Sequence, residues 1–356
     1  MFGSISHGPV GMRGILVNTR ILDAPVTGTQ RYTRELLACW DQGADTIAPE
    51  NGARGLSGHA WEQLILPTKT RNRLLFSPSN TGPLWVEDQV VTIHDMAICD
   101  CPEGFSPRFV KWYQFLLPRL VRRVKHIIAV SEFTKQRIVT CTGVSGNKVT
   151  VIPNGVASRF SSQAVSGLDA ARTRLGLPCS RYVLTVGSLE PRKNLKGLLQ
   201  AWARVQERIP RDVWLVVAGS AGSERVFATT KLETLPHRVF LAGRVEEDVL
   251  PPLYAGALAF IYVSLYEGFG LPILEAMASG VPVVAGNRTS IPELVCDAGT
   301  LVDPGSDEEI AAGIYAVVSD GVLREELRQR GLSRVKRFSW NETAQKTWQV
   351  LQAAAA

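Results

Sequence analysis

Short β-branched runs recur between helical stretches along the whole chain, and this alternation limits the fold more than any other sequence feature. A strand that is apolar throughout must be buried on both faces, as happens in parallel sheets covered by helices. The runs therefore predict an α/β protein with parallel sheets. They lie at residues 14–17, 74–76, 90–93, 127–130 and 149–152 in the first half and at 183–186, 213–218, 239–241, 259–263 and 281–284 in the second.

The length of 356 residues exceeds one ordinary compact core and suits two α/β domains with a cleft. Residues 153–178 combine a Pro-Asn-Gly turn with a Ser-rich stretch and are predicted to link the two domains. We therefore expect one domain at 12–165, a second at 166–338, and a terminal helix over 339–352. Residues 1–11 precede the first strand and receive no function.

Composition excludes several classes of protein. Hydrophobic residues make up 45% and charged residues 20%, which is the balance of a soluble globular protein. No apolar run approaches the roughly 20 residues that cross a bilayer, and the N-terminus lacks a signal-peptide pattern, so we expect a cytoplasmic protein. The six cysteines are scattered and no Asp-x-Asp occurs, so no metal site is predicted. The net charge of +6 indicates an anionic partner, but the spread of the basic residues disfavours nucleic acid.

The segment from Glu267 to Glu275 reads EGFGLPILE and carries the most specific chemistry of the chain. Pro272 is tolerated in the first turn of a helix, and Gly280 suits its end. The helix start over 271–273 presents backbone N–H groups and a partial positive charge, which suit a diphosphate. A carboxylate can accept two hydroxyl hydrogen bonds at once, so both glutamates are predicted to bind a polyol.

These residues resemble the retaining glycosyltransferases of GT-B fold that carry a Glu, seven residues, Glu signature, the glycosyltransferase family four-like group. The resemblance covers almost the whole chain. It implies two Rossmann-like domains whose parallel sheets face a central cleft, the first on the acceptor side and the second binding a nucleotide-sugar donor. The helix at 339–352 would pack back on the first domain. Glu267 would contact the donor hexose and Glu275 the ribose, and the diphosphate would be surrounded by Phe269, Gly270, Leu271, Pro272 and Ile273.

A second block, GSLEPRKNL, begins at Gly187 directly after a predicted strand. In similar enzymes its Arg-Lys pair, here Arg192 and Lys193, holds the donor phosphates and would neutralise the charge that grows on the leaving diphosphate. Ser188 stands where many relatives carry arginine, so one expected phosphate contact is missing. Val245, after another strand, resembles the backbone platform that meets the nucleobase.

In the first half, His94 and Asp95 follow a predicted strand and resemble the His-Asp of a mannosyltransferase-like subgroup, where the histidine lies beside the donor sugar. We predict that His94 and Glu267 are the catalytic residues and that Asp95 belongs to the donor site. The sequence TGTQRY resembles the glycine loop that approaches the diphosphate, with Gly28 as the contact. Gln30 stands where relatives often carry a second glycine.

The resemblance implies a retaining, metal-independent hexosyltransferase that needs no bound cofactor, since the nucleotide-sugar is its co-substrate. The mannosyltransferase-like blocks favour mannose from GDP-mannose as the donor, and a glycan or lipid-linked glycan in polysaccharide biosynthesis as the acceptor. Two alternatives stay open. One is a UDP-sugar donor, and the other is a catalytically weak nucleotide-sugar-binding protein, to which Ser188 and Gln30 lend support.

Residues 108–126 combine several aromatic and leucine side chains with basic ones. This pattern suits a peripheral element at the inner face of an anionic membrane, and it equally suits a helix packed in the core.

Overall fold

The computed structural model describes residues 14–24, 27–40, 44–50, 52, 55–219 and 235–356. The chain forms two compact units. One contains residues up to Met96, Lys111–Gly155 and Ser339–Ala356, and the other contains Ala97–Val110 and Val156–Phe338. The chain passes from the first unit to the second after Gly155, which lies inside the segment predicted as a linker. The domain bounds of 12–165 and 166–338 stay a prediction. Residues 1–11 and the predicted start at residue 12 lie outside the described residues.

Each unit contains one parallel sheet of six strands in the part of the chain that the structure describes. The fold class predicted from the apolar runs, α/β with two Rossmann-like parallel sheets, is confirmed. The first sheet comprises β1 Gly14–Asn18, β2 Ala44–Ile47, β3 Arg73–Ser77, β4 Gln89–Ile93, β5 His126–Ala129 and β6 Val149–Val151. The second comprises β7 Arg181–Val186, β8 Val213–Ala218, β9 Val239–Gly243, β10 Ala259–Tyr262, β11 Val283–Gly286 and β12 Thr300–Val302.

Helices connect these strands. They are α1 Gly28–Cys39, α2 Gly55–Ala60, α3 Leu66–Lys69, α4 Ala97–Asp100, α5 Pro107–Arg123, α6 Glu132–Thr142, α7 Leu168–Leu175, α8 Leu195–Val205, α9 Leu250–Ala255, α10 Leu271–Ala278, α11 Ile291–Val295, α12 Asp307–Ser319, α13 Gly321–Val335 and α14 Trp340–Ala355. A π-helical turn, Trp61–Ile65, joins α2 to α3.

The strand order locates the expected binding edge of each sheet. The first sheet runs β2-β1-β3-β4-β5-β6 and the second runs β12-β11-β10-β7-β8-β9. The connections therefore change direction between β1 and β3, and between β7 and β10. In open parallel sheets, ligands bind outside the carboxyl ends of the strands at such a switch point.

Two strands were not predicted, and one predicted strand lies two residues further along the chain. β2 and β12 are short strands at sheet edges, and their sequences lack the apolar run that marks the central strands. The strand predicted at 281–284 lies at Val283–Gly286 instead. Pro282 has no N–H to give to the ladder, and the Val281 N–H donates to the Ala276 carbonyl at 3.0 Å, so the strand begins only at Val283.

The apolar residues of α5 mostly face the protein interior. Leu116, Leu117, Leu120 and Val121 are buried, whereas Phe115 is 46% exposed. Core packing therefore accounts for the leucines of segment 108–126. No helix in the described residues is both long and apolar enough to span a bilayer.

Helix α14 is joined to the first unit by hydrogen bonds to backbone carbonyls. The Thr343 hydroxyl donates to the Pro153 carbonyl at 2.7 Å, and the Trp40 indole donates to the Ala344 carbonyl at 3.1 Å. Lys125 donates to the Ala354 carbonyl near the end of the helix. The last helix of the chain is therefore part of the first unit.

A buried glutamate joins the π-helical turn to the carboxyl edge of the first sheet. Glu62 accepts hydrogen bonds from the Asn18 amide at 2.9 Å and the Thr81 hydroxyl at 2.6 Å, and it pairs with Arg20 at 3.4 Å. Burial would raise the pKa of Glu62, but the adjacent His59, Arg20 and Thr81 outweigh it and hold that pKa below its ordinary value. The carboxylate is thus charged and contacts residues at the end of β1 and after β1 and β3.

We expect Glu62→Gln to lower the free energy of unfolding by about 3 kcal/mol at pH 7, because it leaves Arg20 without its buried partner. The native pKa lies below the unfolded one, so this contribution is present above the ordinary value of 4.5 and is lost as the pH falls through the native value. Denaturant unfolding at several pH values measures the difference.

The control is Glu308→Gln, which breaks the exposed pair with Arg204 at 3.0 Å and should change the free energy by about 0.5 kcal/mol or less. Equal effects of the two substitutions at pH 7 would show that Glu62 does not hold the π-helical turn.

Candidate active site

The turn after β7 and the loop after β10 meet at the switch point of the second sheet. A short 3₁₀ turn, Pro191–Lys193, precedes α8, and the Leu265 N–H donates to the Arg192 carbonyl at 2.8 Å. Because β7 and β10 are neighbouring strands, the two predicted motifs lie side by side.

Asn194 fixes the turn that carries Arg192 and Lys193. It adopts a left-handed conformation, with φ of 58°, which asparagine tolerates better than most residues. Its amide donates to the carbonyls of Val263 at 3.1 Å and Pro304 at 2.6 Å. The turn is therefore anchored to two further loops at the carboxyl edge of the sheet.

Glu267 is the centre of a buried charged cluster. Lys193 Nζ lies 2.6 Å from Glu267 Oε1, and the Tyr262 hydroxyl donates to the same oxygen at 2.7 Å. Arg192 Nη1 lies 3.6 Å from Oε2. The structure thus brings together three residues, Arg192, Lys193 and Glu267, that the sequence analysis assigned to one site.

The protonation of this cluster follows from its charges. Burial would raise the pKa of Glu267, but the charges of Lys193 and Arg192 outweigh it and hold the pKa below its ordinary value. Burial, together with the charge of Glu267, raises the pKa of Tyr262 well above that of a free phenol. At neutral pH the carboxylate is therefore ionised and the phenol is a hydrogen-bond donor.

Arg192 is shared between two carboxylates. Its Nε donates to Glu190 Oε2 at 2.8 Å, and the Ser188 hydroxyl donates to the other oxygen of Glu190. Ser188 thus helps to fix the partner of Arg192. The cluster therefore contains two cationic side chains, Arg192 and Lys193, and two carboxylates, Glu190 and Glu267.

The loop from Glu267 leads into α10 through Gly270, whose φ of 110° favours glycine. Of residues 271–273, only Leu271 retains an N–H without a backbone acceptor in the described chain. Pro272 has none, and the Ile273 N–H donates to the Gly270 carbonyl at 2.9 Å. Of the backbone N–H groups predicted at the helix start over 271–273, the one at Leu271 therefore stays available for a ligand.

Glu275 lies in the second turn of α10. Its side chain is buried and accepts a hydrogen bond from the Tyr254 hydroxyl at 3.0 Å. The side chains of Glu267 and Glu275 are thus each bonded to a buried tyrosine.

Three neighbouring strands of the second unit end in closely packed glycines. The Gly187 N–H donates to the Ala218 carbonyl at 3.0 Å, and the Gly219 N–H donates to the Gly243 carbonyl at 2.7 Å. A Cβ on Gly219 would lie 1.7 Å from the Gly187 carbonyl oxygen. Val245 follows β9 at this edge and is half-buried.

The predicted residues of the first unit lie at the ends of their own elements. His94 follows β4, and its Nε2 lies 2.7 Å from the Pro78 carbonyl, so Nε2 carries the proton. Burial lowers the pKa of His94, which leaves the ring neutral with Nδ1 unprotonated. Asp95 follows directly and is half-buried. Gly28 is the first residue of α1, and Gln30 accepts the Thr27 N–H at 3.0 Å, as in a capping box.

Sequence reasoning missed several partners of the site. Tyr262 and Tyr254 belong to apolar runs and read as core residues. Ser290 and Glu293 have the spacing of a helix capping box, but the Ser290 hydroxyl donates to the carbonyls of Glu267 at 3.0 Å and Phe269 at 3.2 Å instead. Ser290 therefore holds the loop that carries Glu267. No sequence motif signals these contacts.

The chain matches two family models. Residues 172–334 match the glycosyl transferases group 1, and residues 88–160 match Glycosyltransferase Family 4. The chain is 34% identical over 279 residues to "O-antigen chain mannosyltransferase B" of Escherichia coli, which covers 78% of this chain and 73% of that protein. It is 29% identical over 261 residues to "MMP alpha-(1->4)-mannosyltransferase" of Mycolicibacterium hassiacum, which covers 70% of this chain and 60% of that protein.

Solved structures of other glycosyltransferases share the fold. Anabaena HepE in complex with UDP and glucose superposes with a TM-score of 0.73 at 20% identity, covering 95% of this chain and 99% of HepE. WaaG, described as a glycosyltransferase involved in lipopolysaccharide biosynthesis, superposes with a TM-score of 0.71 at 15% identity, covering 95% of this chain and 99% of WaaG.

The two parallel sheets and these neighbours show that the chain has the GT-B fold. The chain belongs to glycosyltransferase family 4, and it is a hexosyltransferase similar to mannosyltransferases. The family predicted from the EGFGLPILE and GSLEPRKNL segments is confirmed.

We expect Gly219→Ala to lower the free energy of unfolding by about 3 kcal/mol or more, since the new methyl group collides with the Gly187 carbonyl. Gly104→Ala is the control, because a Cβ there meets nothing within 4 Å. Thermal unfolding of the two variants beside the wild type measures the difference. Similar melting temperatures for both variants would show that the strand ends tolerate separation.

Proposed function

We propose that this chain transfers mannose from GDP-mannose, with retention of configuration, to a glycan or lipid-linked glycan in polysaccharide biosynthesis. The observation that carries the proposal is the ionised Glu267 held by Lys193 and Arg192 beside the start of α10. The similarity to O-antigen chain mannosyltransferase B supports mannose as the sugar.

Each predicted site residue of the second unit has a proposed role in donor binding. Glu267 accepts hydroxyl hydrogen bonds from the hexose, and Glu275 accepts those from the ribose. The Leu271 amide and the positive end of α10 face the diphosphate, together with Gly187 and Lys193. Val245 lies at the nucleobase, and the surroundings of the diphosphate are completed by Phe269, Gly270, Pro272 and Ile273.

Catalysis in this proposal depends on orientation and charge. The departing phosphate oxygen takes the proton from the acceptor hydroxyl on the same face of the sugar, so no enzymatic nucleophile is needed. Arg192 and Lys193 stabilise the leaving diphosphate in place of a divalent cation. Within the described residues, no three His, Cys, Asp or Glu side chains form a group that could hold a metal ion.

The first unit contributes His94, Asp95 and Gly28 in the proposal. The protonated Nε2 of His94 is held by the Pro78 carbonyl, so the unprotonated Nδ1 is left to accept a hydrogen bond from a sugar hydroxyl. Gly28 stands at the first position of α1, where a helix N-terminus favours an anion.

A UDP-sugar is the second candidate donor. HepE, which shares the fold, has been crystallised with UDP and glucose. Thermal-shift measurements with GDP-mannose and UDP-glucose separate the candidates, because the ligand that binds the native state raises the melting temperature. We expect GDP-mannose to raise the melting temperature more than UDP-glucose does. If UDP-glucose raises it more, the proposed donor is a UDP-sugar instead of GDP-mannose.

Turnover of the preferred donor should fall by about 100-fold or more in Glu267→Ala and in Lys193→Ala, because each change removes a charge at the reacting centre. Lys196→Ala, at an exposed position on α8, is the matched control and should keep the wild-type rate. Release of the nucleoside diphosphate measures turnover, and circular dichroism verifies the fold. Near-normal rates in either site variant would overturn the assignment.

We also propose that the first unit contacts an anionic membrane through an exposed aromatic and basic surface. Trp85 is 73% exposed and Phe115 is 46% exposed. The guanidinium groups of Arg123 and Arg119 lie 5.0 Å and 4.0 Å from the centroids of these two rings. Aromatic side chains beside cations are typical of surfaces that lie at a lipid headgroup boundary.

The double substitution Trp85→Ser with Phe115→Ser should weaken binding to vesicles of phosphatidylglycerol and phosphatidylcholine by about tenfold or more, since it removes two rings from the interface. Flotation at low and high salt measures binding. Val322→Ser is the control, because that residue is 81% exposed in the other unit. Wild-type protein that fails to float with these vesicles at low salt would remove the membrane proposal.

A further inference from the structure

Tyr262 is the last residue of β10, and it is buried directly behind Glu267. Its hydroxyl donates to Glu267 Oε1 at 2.7 Å and accepts from Lys193 Nζ at 3.1 Å. The phenol and the ammonium therefore converge on one oxygen of the carboxylate. The other oxygen, Oε2, faces Arg192 at 3.6 Å, which is beyond hydrogen-bond distance.

Tyr254 makes the corresponding contact to the second glutamate. It lies on α9, is fully buried, and its hydroxyl donates to Glu275 Oε2 at 3.0 Å. The ring packs edge-on against Phe160 and at a tilt against Phe260, with centroids 5.6 Å and 5.3 Å away. The packing holds the ring, so the position of its hydroxyl is set by the core.

A donor behind a carboxylate determines which lone pairs remain for a ligand. A carboxylate accepts about four hydrogen bonds, and a buried donor on one oxygen directs the remaining capacity elsewhere. A buried phenol cannot easily lose its proton, so it stays a donor at any ordinary pH. The pKa of Tyr262, which burial and then Glu267 raise well above its ordinary value, agrees with this.

We propose that the two tyrosines are separate positioning residues, with Tyr262 orienting Glu267 toward the sugar and Tyr254 orienting Glu275 toward the ribose. This inference rests on the proposed function, in which each glutamate holds a different part of the donor. The recognition of the sugar and that of the nucleotide are then controlled by two different side chains, one on β10 and one on α9.

If the two tyrosines have these separate roles, two conservative substitutions should change ligand binding in different ways. GDP and GDP-mannose share the ribose, and only GDP-mannose carries the sugar. Tyr262→Phe should weaken the binding of GDP-mannose about tenfold and leave the binding of GDP unchanged, since a hydrogen bond to a charged group is worth about that factor. Tyr254→Phe should weaken the binding of both ligands by the same factor of about ten, so that the ratio of the two affinities stays unchanged.

Isothermal titration calorimetry of both ligands with each variant measures these ratios. Tyr182→Phe is the matched control, because this buried tyrosine donates to the Leu253 backbone carbonyl at 2.8 Å rather than to a glutamate. It should lower thermal stability and change neither affinity. If the variants merely loosened the fold, all three would lower both affinities together, and this result would overturn the inference.

The outcome also separates this inference from the proposed function. Wild-type protein that binds neither GDP-mannose nor UDP-glucose contradicts the proposed function itself. If wild-type protein prefers UDP-glucose, the same titrations use UDP and UDP-glucose. A wild type that binds the sugar nucleotide no better than the free nucleotide, or a Tyr262→Phe variant that keeps the full preference, overturns the role of Tyr262 alone.

Discussion

The buried ion pair between Lys193 and Glu267 is the interaction on which the site depends. It joins the turn after β7 to the loop after β10, and taking both charges out of water is costly unless each keeps close partners. Tyr262 and Arg192 supply those partners for the carboxylate. Asn194 and Ser290 in turn hold the two backbone segments at the distances that the pair requires. The motifs at 187–195 and 267–275 thus form one structural unit although about 70 residues separate them.

The charge balance of this cluster changes how Arg192 and Lys193 are interpreted. Arg192 and Lys193 suggest a positive site for phosphate when the sequence is considered alone. In the structure each of them faces a carboxylate, Glu190 or Glu267, so the four side chains sum to zero. A neutral cluster rich in donors and acceptors suits a ligand that carries both an anion and hydroxyl groups. A simple phosphate would have to compete with Glu267 for Lys193.

The sequence was sufficient for the fold class and for the family, because central parallel strands are apolar and the two motifs are local in the chain. β2 was missed because Asp45 and Thr46 interrupt its apolar character at a sheet edge. The roles of Tyr262, Tyr254 and Ser290 were missed for a different reason. Their functional contacts join side chains to loops through the packed fold, whereas their own neighbours in sequence are those of ordinary core residues.

The π-helical turn Trp61–Ile65 has a consequence for chains that differ in length at this point. A π-helical turn accommodates one residue more than an α-helical turn, and each residue of a helix advances the direction of its side chains by about 100°. Deleting one residue here would restore a regular helix from α2 to α3. It would also rotate either α2 or α3 relative to Glu62, so that the carboxylate could no longer lie under Asn18 and Thr81 while both flanking helices kept their packing. A variant of this chain with one residue removed here would therefore lose the buried carboxylate that lies at the edge of β1 and β3.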